Sequence, residues 1–360
     1  MSESKRKVVL GPQDAGRILA PEAAMEEEFI GATLRPRSFD EYVGQLAVVE
    51  NLKIAIDAAR RRDEPLEHVL FYGPPGLGKT TLAALIARDM GKALRPTSGP
   101  TLDKPKDLVG ILTSLQAGDV LFIDEIHRLG GVVEEFLYPA MEDFRVDIVM
   151  DSGAYAKTYK IPVERFTLVG ATTRAGMLSA PLRERFGLTY HLDYYSDEEL
   201  ERIVVRSAGV LGIPIDAPGA ATIARRSRGT PRVANRLLRR VRDFAEVLGT
   251  GLVDMKAVTL ACERLEIDVA GFDPMDRRLL QVIITDYDGG PVGVETLAAA
   301  VGEPRDTIED VYEPFLLQQG FLGRTPRGRI ATRKAYEHLG LVYRPRIAEE
   351  AGSGGQGDLF

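Results

Sequence analysis

Eight residues, Gly73 to Thr80 (Gly-Pro-Pro-Gly-Leu-Gly-Lys-Thr), restrict the folds open to this chain more than any other feature. The three glycines let a backbone curl until successive N–H groups point inward and cradle phosphate oxygens. Such a cradle works between a strand that delivers the chain and a helix whose positive N-terminus faces the anion. Both flanks are present. The apolar run 68–72 reads as a strand, and Leu82, Leu85, Ile86 and Met90 recur at helical spacing after Thr80. Lys79 is the expected charge partner of the β- and γ-phosphates, and the Thr80 hydroxyl an expected ligand of Mg²⁺.

A second element completes the chemistry. Val120, Leu121, Phe122 and Ile123 form a continuous apolar run, as in a strand covered on both faces, and it ends at Asp124-Glu125. Carboxylates at the C-terminal end of such a strand lie beside the phosphate loop. Asp124 would hold Mg²⁺, largely through water, and Glu125 would orient and deprotonate the attacking water. The pair of elements implies hydrolysis of a nucleotide, ATP.

Strand and helix patterns alternate from 68 to 171: strands at 68–72, 93–97, 119–123 and 166–171, and helices at 80–90, 104–116 and 130–142, with a further helix over 48–61 ahead of them. A period-two stretch over 145–161, around Asp151-Ser-Gly153, reads as a hairpin inserted into this pattern. From Ser196 to about 268 only helical patterns follow, split by Gly/Pro turns at 212–218 and 229–231. Residues 275–340 give three short helices (276–286, 294–301, 305–319) and a small hairpin around Thr325–Gly328, the pattern of a winged helix. The fold class expected is therefore α/β: a P-loop parallel-sheet domain (31–195), a small all-helical lid (196–270) and a C-terminal winged-helix domain (271–346), between an arm (1–30) and a flexible tail (347–360).

Composition narrows the setting. One cysteine, Cys262, excludes an internal disulfide, and no run approaches the roughly 18 apolar residues of a membrane span, so a cytoplasmic protein without membrane contact is expected. The net charge of −7 argues against a chain coated in nucleic acid. Between Arg324 and Arg346, however, seven basic residues face one acid, Glu337, a local excess of 7 − 1 = +6.

Three further patterns bear on the nucleotide. Gly170-Ala-Thr-Thr173 ends a strand with a polar residue able to reach a phosphate or water. Pro181-Leu-Arg-Glu-Arg-Phe186 carries two arginines at i and i+2, one able to serve its own subunit and the other a neighbour. Gly229-Thr-Pro-Arg232 starts a helix with Thr230 as its cap and Pro231 in the first position. A cation such as Arg232 is disfavoured at a helix N-terminus, so an anion is expected opposite it.

Together with Leu34-Arg-Pro-Arg-Ser-Phe-Asp-Glu-Tyr-Val-Gly-Gln45, Asp-Glu-Ile-His at 124–127 and the Arg174 that extends Gly170–Thr173, these strings resemble an AAA+ ATPase. Val133–Glu142, Arg236–Glu246 and Arg324–Arg329 are similar to the branch-migration motors of Holliday junctions within that family. The resemblance covers roughly 25–340. It implies Leu34 and Arg35 at the adenine; Gly76, Gly78, Lys79, Thr80 and Thr81 at the phosphates; and Thr80 and Asp124 at Mg²⁺. It implies Glu142, Asp143, Phe144 and Tyr195 bordering the nucleotide, Thr173 and Arg232 as first and second sensors, Arg183 near phosphate, and Arg185 as a finger entering a neighbour's site. Arg305, Arg324 and Arg329 would contact the DNA backbone.

The same resemblance implies a homo-hexamer acting on duplex DNA at four-way junctions in recombination, repair and the SOS response. Its partners would be the junction-binding protein RuvA, docked on the hairpin at 146–161, and the resolvase RuvC. Gly153–Tyr159 matches the family's hairpin poorly, which puts partner affinity in doubt. A clamp loader shares most ATPase motifs but not the basic winged helix, and a nucleotide-gated transcription factor would not need Glu125. The terminal Gln356-Gly-Asp-Leu-Phe360, on a Gly-rich tether, resembles a sliding-clamp-binding peptide, with Gly357 departing from the usual leucine.

Overall fold

The computed structural model describes residues 33–150 and 157–343. The expected arm over 1–30, the hairpin turn at Asp151–Gly153, and the tail with Gln356–Phe360 lie outside the described residues. Helix α1 (Leu46–Arg62) buries Val49, Leu52, Ile56 and Ala59 on one face. A five-stranded parallel sheet follows, in the order β2-β3-β6-β1-β7. Its strands are β1 (Val69–Tyr72), β2 (Leu94–Ser98), β3 (Val120–Asp124), β6 (Thr167–Thr172) and β7 (Leu188–His191). The hairpin β4 (Arg145–Met150) and β5 (Lys157–Pro162) pairs antiparallel outside this sheet.

The three central strands are buried along almost their whole length and largely apolar, because both faces are covered. Val69, Phe71, Val120 and Phe122 enter one core with α1 and α2 (Lys79–Asp89). Leu70, Leu121 and Ile123 point the other way, into a second core with α3 (Pro105–Ser114) and α4 (Gly131–Glu142). β7 is not foreseen from sequence. It is a four-residue edge strand of alternating burial, too short and too mixed to stand out from the turn before it, which contains α5 (Ala180–Glu184).

Helices α6 (Asp197–Leu211), α7 (Ala217–Arg225), α8 (Pro231–Leu248) and α9 (Met255–Arg264) follow. Each is started by a side chain accepting a backbone N–H of the first turn: Ser196, Asp216, Thr230 and Asp254. Their apolar faces continue the first core, so sheet and helical unit share one packed interior.

The C-terminal unit has its own core, centred on Phe272. It contains α10 (Pro274–Thr285), α11 (Val294–Val301) and a helical run over 305–318. That run is α12 (Arg305–Thr307), a π turn (Ile308–Tyr312) and α13 (Glu313–Gln318). The wing is β8 (Leu322–Thr325) with β9 (Gly328–Ala331), and α14 (Arg333–His338) closes the unit. Among the described residues no helix is long and apolar enough to cross a membrane.

Phe272 is fully buried and meets Phe315, Phe321 and His338 edge-on. Phe272→Ala should cost the C-terminal unit about 3–5 kcal/mol. Urea unfolding would show an earlier transition for that unit, while nucleotide binding by the remainder persists.

Candidate active site

The phosphate loop is held from several directions. Gly73, Gly76 and Gly78 take φ of 139°, 82° and 99°, conformations that a side chain strains. The Gly73 N–H donates to the Thr172 carbonyl at 3.2 Å, fixing the loop to β6. A Cβ on Gly78 would lie 2.8 Å from the Tyr42 hydroxyl, and one on Gly76 3.0 Å from Cβ of Arg232. The loop is thus enclosed by the segment ending in Tyr42 on one side and the start of α8 on another.

Tyr195 and Tyr42 form a hydroxyl pair at 2.9 Å, and Tyr195 donates to the Leu77 carbonyl at 3.2 Å. Burial pushes the Tyr195 phenol up to about 12, so it stays protonated and donating at neutral pH. Leu34 is buried and Arg35 half-buried on the same segment, which Arg206 pins to α6 by donating to the Leu34 carbonyl at 2.8 Å and pairing with Glu41 at 3.1 Å.

Lys79 is buried and donates to the Gly73 and Pro74 carbonyls, both at 2.7 Å. Burial lowers its ammonium to about 8, against the opposing attraction of Asp124. Thr80 and Thr81 are half-buried at the start of α2. Asp124 and Glu125 lie at the C-terminal end of β3, as expected, and Asp124 accepts the Glu125 N–H at 2.9 Å. Glu125 itself sits at φ 46°, an uncommon conformation that turns it off the strand axis, with Arg128 3.1 Å from its carboxylate. No cluster of three or more His, Cys, Asp or Glu residues able to hold a metal is found among the described residues. A hydroxyl and one carboxylate suit a hard cation that takes its other oxygens from phosphate and water.

Thr173 follows the end of β6. Its neighbour Thr172 is buried, and its Oγ1 meets His127 Nδ1 at 2.9 Å and accepts the Arg174 N–H at 2.9 Å. Burial lowers the His127 imidazole, which favours its neutral form beside Glu125. Arg232 is exposed at the first turn of α8, with its N–H 3.4 Å from the Gly76 carbonyl. Among the described residues no carboxylate pairs with it, in keeping with an anion supplied from outside.

Other expected residues are not brought to this loop. Helix α4 runs back against the strands, so Glu142, Asp143 and Phe144 lie near the start of β1, where Met141 O meets His68 Nε2 at 3.1 Å. Arg185 precedes β7 at the same edge, paired to Glu142 at 3.0 Å, bonded to the Pro181 carbonyl at 2.7 Å and stacked 4.3 Å over Tyr138. Arg183 is exposed on α5 beside it. The length of β1 separates that edge from the chain's own loop, roughly 13 Å for its four residues. Within one subunit, residues 142–144 therefore lie at the opposite end of β1 from the phosphate loop, because α4 runs back against the strands.

In the C-terminal unit, Arg305 pairs with Glu295 at 3.0 Å and Glu309 at 3.1 Å. Arg324 pairs with Glu313 at 2.9 Å. Arg329 is buried against Glu313 at 2.5 Å and Glu309 at 2.9 Å. The local excess of +6 counted along 324–346 is thus reduced by two carboxylates from the preceding helical run.

The comparisons with known proteins agree along the chain. The family model for the Holliday junction DNA helicase RuvB P-loop domain matches residues 34–192. Those for the RuvB AAA lid domain and the RuvB C-terminal winged helix domain match 195–268 and 269–340. The chain belongs to the RuvB family of Holliday junction DNA helicases. It is accordingly an AAA+ ATP hydrolase, and its loop binds nucleotide.

Among solved RuvB structures, the Thermotoga maritima RuvB Holliday junction branch migration motor is 50% identical, with a TM-score of 0.80, over 87% of this chain and 100% of that one. Two mutants of Thermotoga maritima RuvB are each 51% identical with TM-scores of 0.81, over 86% of this chain and 100% and 99% of theirs. Tyr42, His127 and Arg174 are the site residues that sequence reasoning did not single out. All three lie within the strings that carried the family resemblance, but their contacts span distant segments.

Lys79→Ala should abolish nucleotide binding or turnover with the fold intact. Removing one preorganised contact to developing charge costs about 3–4 kcal/mol. Fluorescent-nucleotide titration and phosphate release, with an unchanged circular dichroism spectrum, would check it.

Proposed function

We propose that the chain assembles as a homo-hexameric ring and uses ATP to drive branch migration, pulling duplex DNA through four-way junctions. The observation that supports the ring most directly is Arg185. It lies at the sheet edge away from its own phosphate loop, so its charge serves phosphoryl transfer only in a neighbouring subunit. Glu142, Asp143 and Phe144 share that edge and would border the same neighbour's nucleotide, with Arg183 near its phosphates.

Within one subunit, Leu34 and Arg35 would receive the adenine, and Gly76, Gly78, Lys79, Thr80 and Thr81 the phosphates. Thr80 and Asp124 would hold Mg²⁺, which neutralises phosphate charge when bound. Glu125 would take the proton of the attacking water, Thr173 would sense that water, and Arg232 the γ-phosphate. Arg305, Arg324 and Arg329 would meet DNA phosphates, exchanging the carboxylates that hold them for a stronger anion.

Three functional bodies with limits near 31–195, 196–270 and 271–346 serve this division of labour. RuvA at the hairpin, RuvC, a role in the SOS response and a cytoplasmic setting belong to the same reading, as does a sliding-clamp contact through Gln356–Phe360.

A synthetic four-way junction tests the whole. ATP-dependent strand exchange with DNA-stimulated hydrolysis is expected, and a protein that hydrolyses ATP without exchanging strands in RuvA's presence would overturn the reading. Arg185→Ala should keep nucleotide binding and lose ~10³–10⁵ in hydrolysis rate. Mixing it with Glu125→Gln subunits that retain Arg185 should restore part of the rate.

The DNA arginines should separate by burial. Arg324→Ala should weaken DNA binding evenly across sequences and flatten its salt dependence by about 0.9 for each phosphate no longer neutralised. Arg329→Ala leaves buried Glu313 with only the exposed Arg324 beside it and should also destabilise the C-terminal unit, by up to about 3–5 kcal/mol. Binding isotherms at several salt concentrations, with thermal melts alongside, would distinguish the two.

A further inference from the structure

Arg174 joins two parts of the molecule that its sequence position does not suggest. Its backbone belongs to the catalytic side. The Arg174 N–H holds Thr172 Oγ1, which in turn meets His127, and His127 lies in the turn directly after Glu125. Its side chain leaves the sheet domain altogether. The guanidinium meets Asp310 at 2.6 Å and Asp306 at 3.2 Å, with Glu309 at 3.9 Å, all on the helical run of the winged-helix unit. The arginine side chain is only 23% exposed, so this is an enclosed contact and not a surface pair.

The carboxylate group it approaches is shared. Glu309 also lies 3.1 Å from Arg305, 2.9 Å from Arg329 and 3.6 Å from Arg324. These are the three arginines assigned to DNA phosphates. One acid therefore stands between the DNA-facing arginines and the arginine that follows Thr173. The acids lie in or beside a π turn, a widened stretch of helix of a kind that recurs at functional sites.

We propose that Arg174 is a positioning residue through which DNA bound at the winged helix sets the geometry of the hydrolytic site. The inference rests on the motor reading above. Phosphate draws Arg305, Arg324 and Arg329 away from Glu309. The freed carboxylate shifts the helical run that carries it, and the 2.6 Å bond between Asp310 on that run and Arg174 passes the movement to the sheet domain. Because the backbone of Arg174 is bonded to Thr172, the pull reaches Thr173 and, through His127, the turn that carries Glu125. No proton or electron moves; the device is an exchange of ion-pair partners across a domain boundary. Couplings of this kind change an affinity or rate by about 5–150-fold.

The test compares basal and DNA-stimulated ATPase at saturating duplex for the full chain, Arg174→Met, Asp310→Asn, and the charge-swapped pair Arg174→Glu with Asp310→Arg. Asp310→Asn is near-isosteric and removes only the charge. Basal hydrolysis of Asp310→Asn should match wild type and DNA should still bind, while the stimulation ratio falls toward one. Arg174→Met should lose the same ratio, and the swapped pair should regain part of it, which a purely structural contact would not require. Stimulation unchanged in both single variants, or a swapped pair that folds and binds DNA yet shows no recovery, would overturn the proposal. A wild type unmoved by DNA would sink the motor reading and this one together. A wild type that responds alongside variants that respond equally would sink this one alone.

Discussion

A curved backbone can present several N–H groups to one phosphate only if its own carbonyls are held elsewhere, and most of this structure serves that constraint. The loop from Gly73 to Gly78 is tied to β6 through Thr172, to the tyrosine pair through Leu77, and to α8 through Gly76. Those ties come from three separate stretches of chain. The helical unit is thus part of the phosphate site as well as a cover for it, and the shared apolar interior beneath makes the arrangement stiff. Charge can then be stabilised without reorganising the groups that do it.

The cations of the site follow one pattern. Lys79 rests on two carbonyls, Arg185 on Glu142, and Arg324 and Arg329 on Glu313. Each has an internal partner that holds its side chain in one place, so an anion meeting it would find the rotamer already fixed. Arg232 is the exception: among the described residues no carboxylate pairs with it, and its N–H meets the Gly76 carbonyl.

Much of this was legible in the sequence where the signal is local. The loop, the apolar strand ending at Asp124-Glu125, the capped helices and the inserted hairpin each announce themselves within a dozen residues. What was hidden depends on chain direction or distance. β7 is too short and too mixed to be read as a strand. The return of α4 carries Glu142 to the end of β1 away from the phosphate loop of the same chain. The burial of Arg329 could not be seen from 324–346, because Glu309 and Glu313 come from an earlier turn of chain. Tyr42 and Arg174 act through partners far away in sequence, and no periodicity marks them.

The seam between the winged-helix unit and the rest has a character of its own. Its core is separate, and the bonds crossing the seam are strongly polar: Arg228 to buried Asp276 at 2.5 Å, Arg228 to Asp273 at 3.6 Å, and Arg174 to Asp310. An apolar joint resists every displacement alike, since any gap exposes oil to water. A joint of paired charges acts through a few named contacts, and where a pair is buried, as Arg228 with Asp276 is, losing either partner leaves a charge without water. The place of the winged-helix unit thus hangs on single side chains, while its own interior and the interior it rests on are closed separately.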